Sequence, residues 1–284
     1  MKKKSFIVIW LMVPFCIFSC VNLKSVSNFS ATSTASISNF ENLDYTFSDH
    51  CKDRCEDEAV RKFELSRALE CSCDLYSKAD SVTRVLYQTI NGYFVGLGNL
   101  AQNELTNYSA NAAVNAMTAS EFGPLKIDEN LVGAYSAISN TLLRATTDFY
   151  RKRKIAAYIG EANGPIQVLL DKFQIIILSN LKGELRFKRE RLYVYYMDMK
   201  MNRTLLSDYE KGKATRDYYQ ALDDIQLKEK QMDVFAQGLQ EIGRGHQALY
   251  ENRDKLSVKN LALTMLDYSA QVEVLISEFN QLNH

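Results

Sequence analysis

The chain has 284 residues, with 34 basic side chains balanced by 34 acidic ones. That balance leaves no basic footprint for a nucleic-acid partner, so nucleic acid is set aside. With 46% hydrophobic residues and only three prolines, the chain has enough apolar surface for a sizeable core and favours long helices, because a proline inside a helix costs ~3 kcal/mol.

The elements begin at the N-terminus with Lys2, Lys3 and Lys4, followed by an uncharged run from Phe6 to Phe18. As a helix that run is ~20 Å long, short of the ~30 Å of a bilayer core. It reads as the hydrophobic region of a secretory signal peptide. Ile17-Phe18-Ser19-Cys20 follows, and this aliphatic, any, small, Cys pattern resembles the lipobox of bacterial lipoproteins. The resemblance covers the first twenty residues only, and Phe18 departs from the residue preferred before the small one. It implies cleavage after Ser19, so that residues 1–19 are the signal peptide. It also implies a diacylglycerol thioether on Cys20 and a further acyl chain, such as palmitate, on the new amino group. Two or three such chains anchor a protein firmly, at ~0.8 kcal/mol per buried CH₂. Val21 stands where inner-membrane retention uses Asp, and the acidic export run of Bacteroidota lipoproteins is missing. The expected location is the cell envelope, at the outer membrane facing the periplasm. Without Lys2, Lys3 and Lys4 the balance becomes 31 basic against 34 acidic, a net charge of −3.

Residues 20–46 comprise the lipidated Cys and a segment rich in Ser, Thr and Asn with no sustained period. They read as a flexible tether with a reach of ~25–30 Å. Residues 47–284 form the folded domain. Apolar residues there recur every three or four positions, the helical period. The first stripe is Ala79, Val82, Leu86, Ile90, Tyr93, Leu97 and Leu100. "MTASEFGPLKID", residues 117–128, reads as a loop. A second helix runs from Asp128 through Leu131, Tyr135, Ile138, Leu142, Thr146, Phe149, Ala156 and Ile159 to a break at Asn163-Gly164-Pro165. A third runs from Pro165 to about Tyr209, with Ile166, Leu169, Phe173, Ile177, Leu181, Leu192, Tyr195 and Met199 inward. A fourth carries Tyr219, Leu222, Ile225, Met232, Phe235, Leu239, Ile242 and Leu249, with Gly212 as a possible interruption. The last begins at a Ser257 cap and carries Val258, Leu261, Met265, Val272, Leu275, Phe279 and Leu282. No strand pattern is visible. The expected fold is all-α, an elongated antiparallel bundle with long coiled-coil-like helices.

Four cysteines, Cys51, Cys55, Cys71 and Cys73, are the main chemical feature. An even set in an exported chain points to disulfides. Pairing within Cys71–Cys73 or Cys51–Cys55 is geometrically poor, which leaves a nested pattern (Cys51–Cys73, Cys55–Cys71) or a crossed one. Either conflicts with the unbroken helical pattern between them, which would hold Cys55 and Cys71 ~24 Å apart. A Cys₄ zinc site, with His50 as a substitute ligand, is the alternative, although C-x₃-C and C-x-C depart from the usual spacing. The basic runs at 151–154 and 182–193 read as solvated helix faces, and Gly92, Gly96, Gly98, Gly243 and Gly245 as points of close helix approach. The histidines, His50, His246 and His284, are scattered, and no nucleophile, metalloprotease or phosphate-loop motif is present. No catalytic residue, resident metal or cofactor is assigned.

These observations point to a lipid-anchored helical protein that acts as a binding or scaffold component of the cell envelope. Its partners would be the membrane, through the anchor, and an envelope protein. An envelope enzyme without a familiar motif is the second reading, and a membrane-active, toxin-like helical protein the third. A deep polar pocket with convergent carboxylates would favour the enzyme.

Overall fold

A computed structural model describes residues 23–62, 71–102, 104, 120–147, 151–201, 206–256 and 259–283. Its helices are α1 (Lys24–Ser38), α2 (Phe47–Lys62), α3 (Asp74–Gln102), α4 (Glu129–Thr147), α5 (Arg151–Ile175), α6 (Lys182–Met201), α7 (Asp208–Glu251) and α8 (Lys259–Leu282). They pack as an all-α antiparallel bundle, as the stripes predict. Among the described residues no helix is long and apolar enough to cross a membrane.

The largest departure from the sequence reading lies at the expected tether. Residues 24–38 are not a tether but α1, which packs against α3, α7 and α8. Leu23, Val26, Phe29 and Ile37 are buried in the main core, and Ser25, Ser27, Ser30, Ser33 and Ser36 are buried beside them. Serine is tolerated here because its hydroxyl can bond back to the preceding turn, as Ser30 Oγ does to the Val26 carbonyl at 2.8 Å. Its small side chain also lets neighbouring backbones approach. A Cβ at Gly238 would lie 2.6 Å from Ser36 Oγ, and one at Gly245 would enter the Phe29 ring. The glycines at 98 and 245 therefore mark close packing, and the surface they pack against is α1.

The boundaries in the middle of the chain also shift. The sequence reading carries one helix from 128 to 162 and breaks it at Pro165. The structure ends α4 at Thr147 and runs α5 straight through Pro165. Burial decides this. Ile159, Ala162, Ile166 and Leu169 are fully buried on either side of the proline, and their burial offsets the lost backbone bond. The stretch from Thr147 to Arg151 carries no Gly or Pro, so the sequence gives no punctuation there. Phe149 of the predicted stripe, the side chains of Thr146 and of 151–153, and Ser257 and Val258 lie outside what the structure describes.

After α5 a single π-helical segment, Ile176–Leu181, leads into α6. Arg151 to Met201 is thus continuous over ~75 Å. Leu206 and Ser207 are not helical, so it does not reach Tyr209, and α7 starts at Asp208 behind a capping box in which Ser207 and Glu210 bond each other's backbone N–H. Gly212 lies inside α7 without interrupting it. Two short strands, β1 (Ser120–Phe122) and β2 (Leu125–Ile127), pair antiparallel within the expected loop. They turn at Gly123, whose φ of 55° suits glycine.

Candidate functional site

Four of the sequence-derived site residues come together where α2, the start of α3 and α6 meet. Cys51 and Cys55 lie one turn apart on α2. Cys51 is joined to Cys73 and Cys55 to Cys71, with Cα separations of 5.9 and 6.3 Å. The pairing is the nested one. The expected conflict with an unbroken helix does not arise, because Cys71 and Cys73 lie back along the first turns of α2. Cys20 lies outside the described residues.

The N-terminus of α2 is fixed from α3. The Asp80 carboxylate accepts from the backbone N–H of Phe47 at 2.8 Å and of Ser48 at 3.0 Å, and also from the Ser48 hydroxyl. The other face of α2 meets α6 in a parallel ladder of polar pairs. His50 Nε2 lies 3.0 Å from Glu184, Lys188 Nζ 2.8 Å from Asp53, Arg191 Nε 3.0 Å from Asp57, and Arg61 3.0 Å from Asp198. The spacing follows from helix geometry: positions three, four or seven apart on each helix share a face. The basic run at 182–193 is therefore not merely solvated. Lys182 and Arg189 turn instead to Asp233 and Glu229 of α7.

Between α2 and α6 lies an open cleft of about 480 Å³, lined by His50, Arg54, Tyr76, Glu184, Phe187 and Arg191 among others. His50 is buried and its pKa is pushed down to about 4, first by burial and then by the Arg191 and Arg54 guanidiniums. The neutral ring donates from Nε2 to the Glu184 carboxylate, and Nδ1 faces the Tyr45 hydroxyl at 3.5 Å. Burial pushes the Glu184 carboxyl upward against the pull of Arg191 and Arg54. A neutral imidazole beside a partly buried carboxylate can bind a polar group or relay a proton.

A second polar feature penetrates the core. His246 is fully buried, and its Nε2 accepts from the Tyr93 hydroxyl at 2.6 Å. Its Nδ1–H donates to Asn163 Oδ1 at 3.0 Å, and Asn163 Nδ2 donates in turn to Gln247 at 2.9 Å. The Asn163 that reads as a helix end thus anchors α5 to α7. Burial alone holds the His246 pKa down, at about 3. Gln247 opens onto a groove of about 570 Å³ between α5, α7 and α8, lined also by Gln167, Asp171, Gln174, Gln240 and Arg244.

Sequence reasoning finds the cysteines through their even number in a chain that reads as exported. It misses Glu184, Arg191 and Asp80, because their partners lie 32 to 134 positions away and no local spacing marks them. The Ser207-x-x-Glu210 cap is a legible signal that the long-helix reading overrides. No family model, curated protein or solved structure matches the chain.

Proposed function

We propose that the protein is a lipid-anchored helical component of the cell envelope that works by binding, with acyl chains on Cys20 and a helical arm as its contact surface. The observation that carries this reading is the distal half of the α6–α7 hairpin. Among the described residues between 186 and 224 none is buried, yet the two helices present Phe187, Tyr193, Val194, Met201, Tyr209 and Tyr219 to solvent, with Met201 and Tyr209 each 73% exposed. Large side chains held out on a pair of helices suit a protein partner. The cystine pair fits the oxidising compartment that the signal peptide implies. The anchor gains a geometric consequence. Leu23 is buried in the core, three residues past Cys20, so at most ~11 Å of chain separates bundle from lipid. The bundle would then ride on the bilayer, with no long tether beneath it.

Two measurements test this. Intact-mass analysis of the protein from its native envelope should give a species beginning at an acylated Cys20; a different start, or no acyl mass, removes the anchor. A photo-crosslinker at Tyr209 should then capture an envelope protein that one at Val274, exposed on α8, does not. Equal capture from both positions would remove the arm.

The His50–Glu184 pair in an open cleft specifically favours the second reading, an envelope enzyme. Turnover of purified envelope polymers that disappears in Glu184→Gln would replace the binding reading.

A further inference from the structure

We propose that the four cysteines are, in their reduced form, a tetrathiolate site for a divalent zinc-like cation, and that oxidation to the two disulfides expels the metal. The sulfurs of Cys51, Cys55, Cys71 and Cys73 all lie within 4.8 Å of one another, and those of Cys71 and Cys73 are 3.8 Å apart. A tetrahedral zinc site with metal–sulfur bonds of ~2.3 Å needs sulfur separations of ~3.8 Å. The Cys71–Cys73 separation already has that value, and the two bonded pairs, Cys51–Cys73 and Cys55–Cys71, would have to open to it once reduced.

The departures from the usual C-x₂-C spacing have a structural reason. Cys51 and Cys55 are on α2, where residues four apart share a face. That helical turn replaces the tight turn that a C-x₂-C loop supplies. Cys71 and Cys73 flank Ser72 just ahead of α3, where the Ser77 N–H donates to the Cys73 carbonyl at 2.9 Å. Thiolates at the start of a long helix are favoured by its N-terminal partial charge. Arg54, between the two α2 cysteines in sequence, adds a cation on the same helix.

The sulfurs do not depend on their own bonds to stay together. The Asp80 cap ties α2 to α3, and the ladder to Glu184, Lys188, Arg191 and Asp198 ties it to α6. The start of α3 is held by Ala79, Val82 and Leu86 in the core. Cutting the disulfides therefore leaves four thiols close to ligand positions. Metal entry releases four protons as four thiols become thiolates. In the reverse direction a zinc tetrathiolate, two external disulfide molecules and four protons give the two internal disulfides, four external thiols and one free zinc ion. Charge and electrons balance, with the external disulfides as oxidant.

The test uses the full chain, reduced with a phosphine and freed of it, with helicity followed by circular dichroism. Cobalt(II) should bind once per chain with thiolate-to-metal charge-transfer absorption, and zinc should displace it. Zinc should protect four thiols from a maleimide, and oxidised glutathione should release it. The double variant Cys55→Ser/Cys71→Ser keeps the Cys51–Cys73 pair as a staple, so it preserves the fold when oxidised. On reduction it should bind zinc at least ~100-fold more weakly, since two of the four ligands are gone. The proposal is overturned if equimolar zinc leaves the four thiols reactive, if cobalt shows no thiolate band, or if the double variant binds as tightly as the parent. A reduced chain that unfolds and is not restored by zinc overturns it equally.

Discussion

The bundle core and the stapled arm are held together by different physics. In the core, α1 lies among α3, α7 and α8 with Phe29, Phe94, Phe173, Phe235 and Phe279 almost completely buried, and removing apolar surface from water supplies most of the stability. Beyond Leu185 and Ile225 the same long helices α6 and α7 bury nothing fully among the described residues. There they rely on pairs such as Tyr196 with Tyr218, ring centroids 4.9 Å apart, and Tyr196 Oη with Thr215 at 3.0 Å. Where α2 covers α6, a ladder of polar pairs makes the contact, while the two disulfides tie α2 to the segment ahead of α3. One continuous helix can therefore be a core element at one end and a presented surface at the other, and the change follows burial rather than helical propensity.

This contrast can be broken most directly at α1. Deletion of residues 23–42 should abolish cooperative unfolding in denaturant, whereas a tether would be lost without effect. Phe29→Ala should lower stability by ~3–5 kcal/mol, read from the denaturation midpoint, because a buried aromatic leaves a cavity. The core should also respond to pH through His246. It is neutral when folded, with a pKa of about 3 against an ordinary 6.5, so the unfolded chain binds the extra proton below 6.5. Its contribution is fully present above pH 6.5 and falls as the pH drops toward 3. The loss between pH 8 and pH 5 is ~2 kcal/mol. His246→Gln, although less stable throughout, should show a correspondingly shallower fall over that interval than the parent. The staple should respond to salt instead. Asp57→Asn leaves Arg191 without its partner and should cost ~1 kcal/mol at low ionic strength, less in 1 M salt. In the arm, Tyr218→Ala should cost under ~1 kcal/mol globally while raising amide exchange in residues 206–224. A global loss as large as that of Phe29→Ala would mean that arm and core form one cooperative unit.

What the sequence determined by itself was periodic. In α3 the stripe from Ala79 to Leu100 is buried as its spacing requires, and Met232 to Leu249 behaves likewise, because a three-four period of large apolar side chains has one helical solution. The pairing of the cysteines was narrowed to two arrangements by ring geometry, and the fold chose the nested one. What only the tertiary structure decided was non-local. A Ser-rich segment became the middle of the bundle because Gly238 and Gly245 offered it room. Pro165 stayed inside a helix because Ile159 and Ile166 were buried on both sides of it. His50 found Glu184 across 134 positions. Small and polar side chains carry little burial energy of their own, so their places are set by the neighbours that close around them, and those neighbours are distant in the chain.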